Sequence, residues 1–245
     1  KKAQENARYF VSVFTPVTNM LYSVSLRQLN YIIYLSNKFI EEAEDTDFNK
    51  KLKEVLKEFL PLFDDYIVEG LIPKGKNRNL LFLGKEEYLS FPDYYLYDYK
   101  HTDFLSFTAL AQAHRHRTED YFVYMSTPSF EAYVPKIIRG TKYEIMWNAD
   151  MYKMKGQYPQ GQLLKVVCHG DINTLKLQST ERCCGQAQLE VMEYVENKIA
   201  AFIKNSDLAD DMLKYTGGHT AKCQFKDGWC SRKCMLGANQ IERKI

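Results

Sequence analysis

Residues 162–169, QLLKVVCH, run straight into Asp171 and then into a stretch with Val191, Val195, Ile199 and Phe202 at helical spacing. No other feature constrains the fold as strongly. The apolar, β-branched run reads as a strand, Asp171 as a helix N-cap, and the spaced apolar residues as one face of a long helix reaching about Lys204. A strand that passes directly into an amphipathic helix needs a sheet with a helix laid over it. An earlier segment has the same order. NMLYSVS, residues 19–25, is rich in β-preferring residues and precedes an apolar helix from about Leu26 to Glu44. A second helix there carries Phe48, Leu52, Val55, Leu56, Phe59 and Leu60. Shifting this segment by 146 positions sets Leu29 on Leu175 and Glu44 on Glu190, as a repeat would. A Pro/Gly/Lys-rich connection, IPKGKNRN at 72–79, separates the two.

The expected architecture is therefore α+β, with helices packed on a mainly antiparallel sheet in two related units, residues 1–75 and 76–245. With 245 residues, 45% of them hydrophobic, the chain has enough apolar surface for a core. A net charge of only +2, with both signs interspersed, gives no bulk electrostatic footprint for nucleic acid or an anionic membrane. Apolar runs such as YIIYL at 31–35 are far shorter than the roughly 20 residues a membrane-spanning helix needs. No secretory signal is visible and a cytoplasmic location is expected, although the sequence opens KKAQENARYF without Met and an upstream segment is expected too.

Six cysteines, at 168, 183, 184, 223, 230 and 234, gather towards the C-terminus, unlike the spread of a disulfide-stapled domain. His219, Cys223, Cys230 and Cys234 supply one nitrogen and three sulfurs, the donor set of a closed structural zinc site. Cys183 or Cys184 could stand in for His219. Free thiols or a single disulfide are the alternative.

The run LAQAHRHR, residues 110–117, ends an apolar helical stretch in positive charge. Arginine and histidine at a helix C-terminus complement the macrodipole, which alone accounts for such a run. Arginine's planar fork also suits phosphate oxygens. No Gly-rich phosphate loop accompanies it.

Gln112, Ala113, His114, Arg115, His116 and Arg117 resemble the signature of the flavin-dependent thymidylate synthases, Gln, two residues, then Arg-His-Arg. RCCGQAQLEV resembles a second pattern of that family through Arg182, Ala187, Gln188, Leu189, Glu190 and Val191. A third, Glu-x-Ala-Arg and an Asn-x-Arg-x-Leu helix start, is similar to Glu5, Ala7 and Arg8 with Ser25, Arg27 and Leu29. It precedes the Arg-His-Arg run here, whereas in the family it follows, as though residues 1–75 were the back half of a first copy. The resemblance implies methylation of dUMP to dTMP with methylenetetrahydrofolate, FAD and NADPH, in an oligomer. It implies that Arg115, His116, Arg117 and Arg27 hold flavin, that Gln112 and Arg8 hold dUMP, and that Arg182 binds and polarises the uracil ring. The family's Ser-x-Asn-Glu-x-Ser-x-Arg run is replaced here by Thr118, Glu119, Asp120, Tyr121, Phe122, Val123, Tyr124 and Met125. This loss makes activity of the chain alone doubtful, and the alternative is a non-catalytic structural or assembly domain with a zinc-binding tail.

Overall fold

The computed structural model describes residues 2–16, 21–71, 89–90, 92–116, 118–124 and 129–228. Its chain forms two compact units: Lys1–Phe14 with Gly84–Ile245, and Thr15–Leu83. The first 14 residues thus fold with the C-terminal part of the chain, not with the helices that follow them. The connection at 72–79 lies outside the described residues.

The larger unit begins with a short helix α1 (Lys2–Ala7) and a 3₁₀ turn over Arg8–Phe10. Strand β1 (Tyr94–Tyr95), strand β2 (Asp98–Ser106), helix α4 (Phe107–Ala113) and strand β3 (Asp120–Tyr124) follow the smaller unit, whose helices are α2 (Leu26–Glu42) and α3 (Asp47–Phe59). Then come α5 (Lys142–Lys153), β4 (Leu163–Asp171), α6 (Ile172–Arg182), α7 (Leu189–Asn205) and α8 (Ala209–Thr216). The four strands make one antiparallel sheet in the order β1-β2-β4-β3. The expected class, α+β with an antiparallel sheet, describes this unit.

The predicted strand over QLLKVVCH is β4, the sheet's centre, paired on one side with β2 (Leu105 opposite Leu164) and on the other with β3 (Tyr121 opposite Cys168). Residues two apart along each strand share a face, so Tyr99, Leu105, Tyr121, Leu164, Val166 and Cys168 form one buried surface. The stripe Val191, Val195, Ile199 and Phe202 on α7 is buried as its spacing predicts. Phe202 meets Tyr99 edge-on, with ring centroids 6.1 Å apart. Each such side chain removed from water contributes about 1.5–3 kcal/mol.

Asp171 caps α6 as expected, accepting the Thr174 amide at 2.7 Å. The long helix expected from there to Lys204 is broken, however, at Cys183–Gln188. Cys183 leaves helical geometry, Cys184 N donates to the Arg182 carbonyl at 2.7 Å, and Ala187 N to that of Cys184 at 2.9 Å. Gly185, the residue least committed to a helix, sits in this turn.

The N-terminal segment is held by backbone pairing. Gly161 N donates to the Tyr9 carbonyl at 2.8 Å and Gln160 N to that of Val11 at 2.7 Å. Tyr9 enters a small core with Tyr133 and Met151, 5.2 Å from the Tyr133 ring.

The smaller unit contains α2 (Leu26–Glu42) and α3 (Asp47–Phe59), capped by Ser25 and Thr46, then a 3₁₀ stretch, Leu60–Tyr66. Both helices were legible in the sequence. Asn30 ties α2 to the segment after α3, donating to the Tyr66 carbonyl at 3.0 Å and accepting from Val68 N at 2.9 Å. Residues 21–25 of the strand expected over 19–25 are without regular structure, and 19–20 lie outside the described residues. Among the described residues this unit has no strand. Over the described residues, α2 and α3 form a helix pair with a side-chain-capped start, and residues 21–25 before them are not in a strand.

Candidate functional site

The Arg-His-Arg motif and the motif that begins at Arg182, far apart in sequence, touch. Ser106 ends β2 and caps α4, accepting from Ala109 N at 3.1 Å, and α4 ends at the Arg-His-Arg run. His114 closes the helix, and the His116 amide reaches back to the Ala113 carbonyl at 3.0 Å. From the C-terminal turn of α6, Arg182 Nε donates to His116 Nε2 at 2.8 Å and its Nη2 donates to the Gln112 carbonyl at 3.2 Å. Gln112 in turn donates its side-chain amide to Gln188, at the start of α7.

His116 is buried, which lowers its pKa, and the adjacent Arg182 lowers it further. Glu181 lies 3.6 Å from the same Nε2. The acceptor role of Nε2 towards Arg182 and the lowered pKa agree on a neutral imidazole, so the Glu181 approach is not an ion pair. Arg182 is half-buried, and burial lowers its pKa as well. Arg115 is exposed. Arg117 lies outside the described residues.

Glu190, of the second motif, is buried and holds three donors: Ser106 N at 2.8 Å, Ser106 Oγ at 2.7 Å and the Tyr9 hydroxyl at 2.8 Å. Burial pushes its carboxyl up to about 7, against the pull of the Ser106 and Tyr9 hydrogen bonds. Tyr9 also accepts from Gln188 Nε2 at 2.5 Å. Residues of the N-terminal segment, the Arg-His-Arg segment and the α6–α7 turn thus meet within one unit. Arg8, next to Tyr9, is exposed on that unit, while Arg27 is exposed on α2 of the smaller one.

Glu119, two residues past Arg117, has no access to a ligand. Its carboxylate accepts from Lys198 and Tyr121, from the Tyr99 hydroxyl at 2.7 Å and from Gln178 Nε2 at 2.8 Å. Burial alone would raise its pKa, but Lys198 beside it holds it at about 2. Sequence reasoning missed this network, Ser106 and Tyr9. The signal for Lys198 was a lysine inside the apolar stripe of α7, three residues after Val195. Cys168 lies in the same region, its thiol pushed up by burial and Glu119.

Of the expected zinc ligands, His219 is exposed and Cys223 half-buried, and Cys230 and Cys234 lie outside the described residues. Among the described residues no three His, Cys, Asp or Glu side chains converge as a metal site needs. The Lys222 amide donates to the Cys183 carbonyl at 2.8 Å, bringing the tail alongside the α6–α7 turn. A polar cavity of about 330 Å³ is lined by Asp93, Tyr94, Lys100, His101, Thr102 and Asn205, and none of the motif residues lines it. Among the described residues no helix is long and apolar enough to cross a membrane. No known protein family and no curated protein matches the sequence.

Proposed function

We propose that this chain is a flavin-dependent thymidylate synthase-like protein, its site built to bind dUMP and FAD for methylation with methylenetetrahydrofolate, and that it is catalytically weak alone. The observation that carries this reading is the contact of Arg182 with His116 and Gln112, which joins the two motif segments on which the resemblance rests. The donor set suits phosphate-bearing ligands. Arg115 is exposed, and Arg182 lies beside a neutral His116 that does not compete as a cation. In this reading Arg115, His116 and Arg117 hold the flavin, which when bound supplies the hydride. Gln112 and Arg8 hold dUMP, and Arg182 stabilises charge developing on its ring.

A second reading, a structural or assembly domain with a zinc-binding tail, is favoured by a different observation. Glu119 is taken up by Lys198, Tyr99, Tyr121 and Gln178, and two N–H donors of the Arg182 guanidinium are spent on protein groups. One preparation, purified without chelator, separates the two readings. The first expects flavin absorbance retained by the protein after incubation with FAD and removal of free flavin, dUMP binding, and affinity weakened by about 1.5–3 kcal/mol in R115A. Colourless protein that does not bind dUMP, with about one zinc per chain, supports the second. Less than about 0.2 zinc per chain ends the zinc proposal.

A further inference from the structure

Glu190 is fully enclosed, yet three hydrogen bonds connect it to Gln112 beside Arg182. The direction of those bonds is decided at the buried end. Above the pH of about 7 at which it titrates, Glu190 is a carboxylate that can only accept, and it receives Ser106 N–H at Oε1 and the Ser106 and Tyr9 hydroxyls at Oε2. Tyr9's single proton is thereby committed inward, and burial with the adjacent carboxylate keeps that hydroxyl protonated. Its oxygen is left to accept, and Gln188 Nε2 donates to it at 2.5 Å. A primary amide has one donor end and one acceptor end. With its nitrogen on Tyr9, Gln188 turns its oxygen to Gln112, which must bring its own nitrogen to meet it. The Gln112 backbone is held at the same time by Arg182.

We propose that Glu190, Tyr9 and Gln188 form a positioning relay that fixes the Gln112 amide nitrogen-inward, so that Gln112 offers its carbonyl oxygen to a ligand N–H such as the imide of a pyrimidine-2,4-dione. The ligand class rests on the function proposed above, whereas the relay itself does not. Reversing the relay has a definite consequence. E190Q places an amide nitrogen where Oε2 stood, which donates to the Tyr9 oxygen. Tyr9 then donates to Gln188, Gln188 and Gln112 each turn over, and Gln112 offers N–H instead. That arrangement suits a ring nitrogen acceptor, as cytosine has. Y9F removes the middle link and leaves the Gln112 amide unoriented.

The test is calorimetric titration of the intact chain at pH 8, where Glu190 is ionised, for wild type, Y9F and E190Q with dUMP and dCMP. Wild type is expected to favour dUMP by about tenfold or more, Y9F to lose the preference, and E190Q to erase or invert it. A merely structural role would weaken both nucleotides together, so an unchanged dUMP/dCMP ratio in the variants overturns the relay. If wild type binds neither nucleotide, the proposed function fails, and the relay is judged on the ligand-free protein. Side-chain amide ¹H–¹⁵N resonances of Gln112 and Gln188 should then both shift in Y9F, and unmoved Gln112 resonances refute it. Should E190Q fail to fold, Y9F carries the same comparison.

Discussion

Glu190 and Glu119 are both buried glutamates of the same unit, and they titrate on opposite sides of the usual value of 4.5. Glu190 has only neutral donors around it, so burial dominates and raises it to about 7. Glu119 has Lys198, and the ion pair more than offsets burial, holding it at about 2. The two therefore bend stability in different pH windows. For Glu190 the native state keeps a proton that the unfolded chain releases, so its contribution is fully present below about 4.5, falls as pH rises to about 7, and is flat above. The span amounts to about 3 kcal/mol. For Glu119 the unfolded chain takes the proton first, and stability falls as pH drops from 4.5 towards 2. E190Q should flatten the decline between pH 4.5 and 7 while leaving the acid limb intact. Denaturant midpoints measured across pH 3–8 check this, and an unaltered slope would assign the decline to other groups.

The α6–α7 turn and the seat of the N-terminal segment decide which residues meet. The turn exists because Cys183–Gln188 leaves the helix. Gln188 flanks α7 without capping it through its side chain, which is used towards Gln112 and Tyr9 instead. The seat depends on Gly161. A Cβ there would lie 2.8 Å from Tyr9 Cβ and 2.5 Å from Met151 Cε, and although the methionine end can move, the tyrosine Cβ is tied to paired backbone. G161A should therefore destabilise the larger unit by about 1–3 kcal/mol and push Tyr9 away from Glu190. A thermal melt together with the Tyr9 ring resonances reads both effects. An unperturbed melt would show that the segment slides at little cost.

At the scale of the whole molecule, residues 1–14 belong with Gly84–Ile245 although Thr15–Leu83 separates them in sequence. Tyr9 is the residue that makes this arrangement matter, because it is almost wholly buried and bonded to Glu190. Deleting residues 1–14 should cost the larger unit about 3–5 kcal/mol, the range for removing a buried aromatic side chain. Chemical denaturation followed by the fluorescence of Trp147, whose ring lies 6.2 Å from that of Tyr9, measures it. A change within a few tenths of a kcal/mol would show the segment to be a surface appendage.

What the sequence determined by itself was local. The strand over QLLKVVCH, the cap at Asp171, the helices from Leu26 and the stripe Val191–Phe202 follow from periodicity and capping chemistry that neighbours in sequence carry. The end of α4 at Arg-His-Arg was legible for the same reason. Tertiary structure decided everything that depends on which distant groups share a dehydrated space. Lys198 reads as a misplaced charge until Glu119 is set beside it, and Glu190 as a surface helix residue until Ser106 and Tyr9 enclose it. Of the strand expected over residues 19–25, the described part, 21–25, has no regular structure on the same ground. β propensity specifies a surface that needs a partner, and the described residues of its unit offer none.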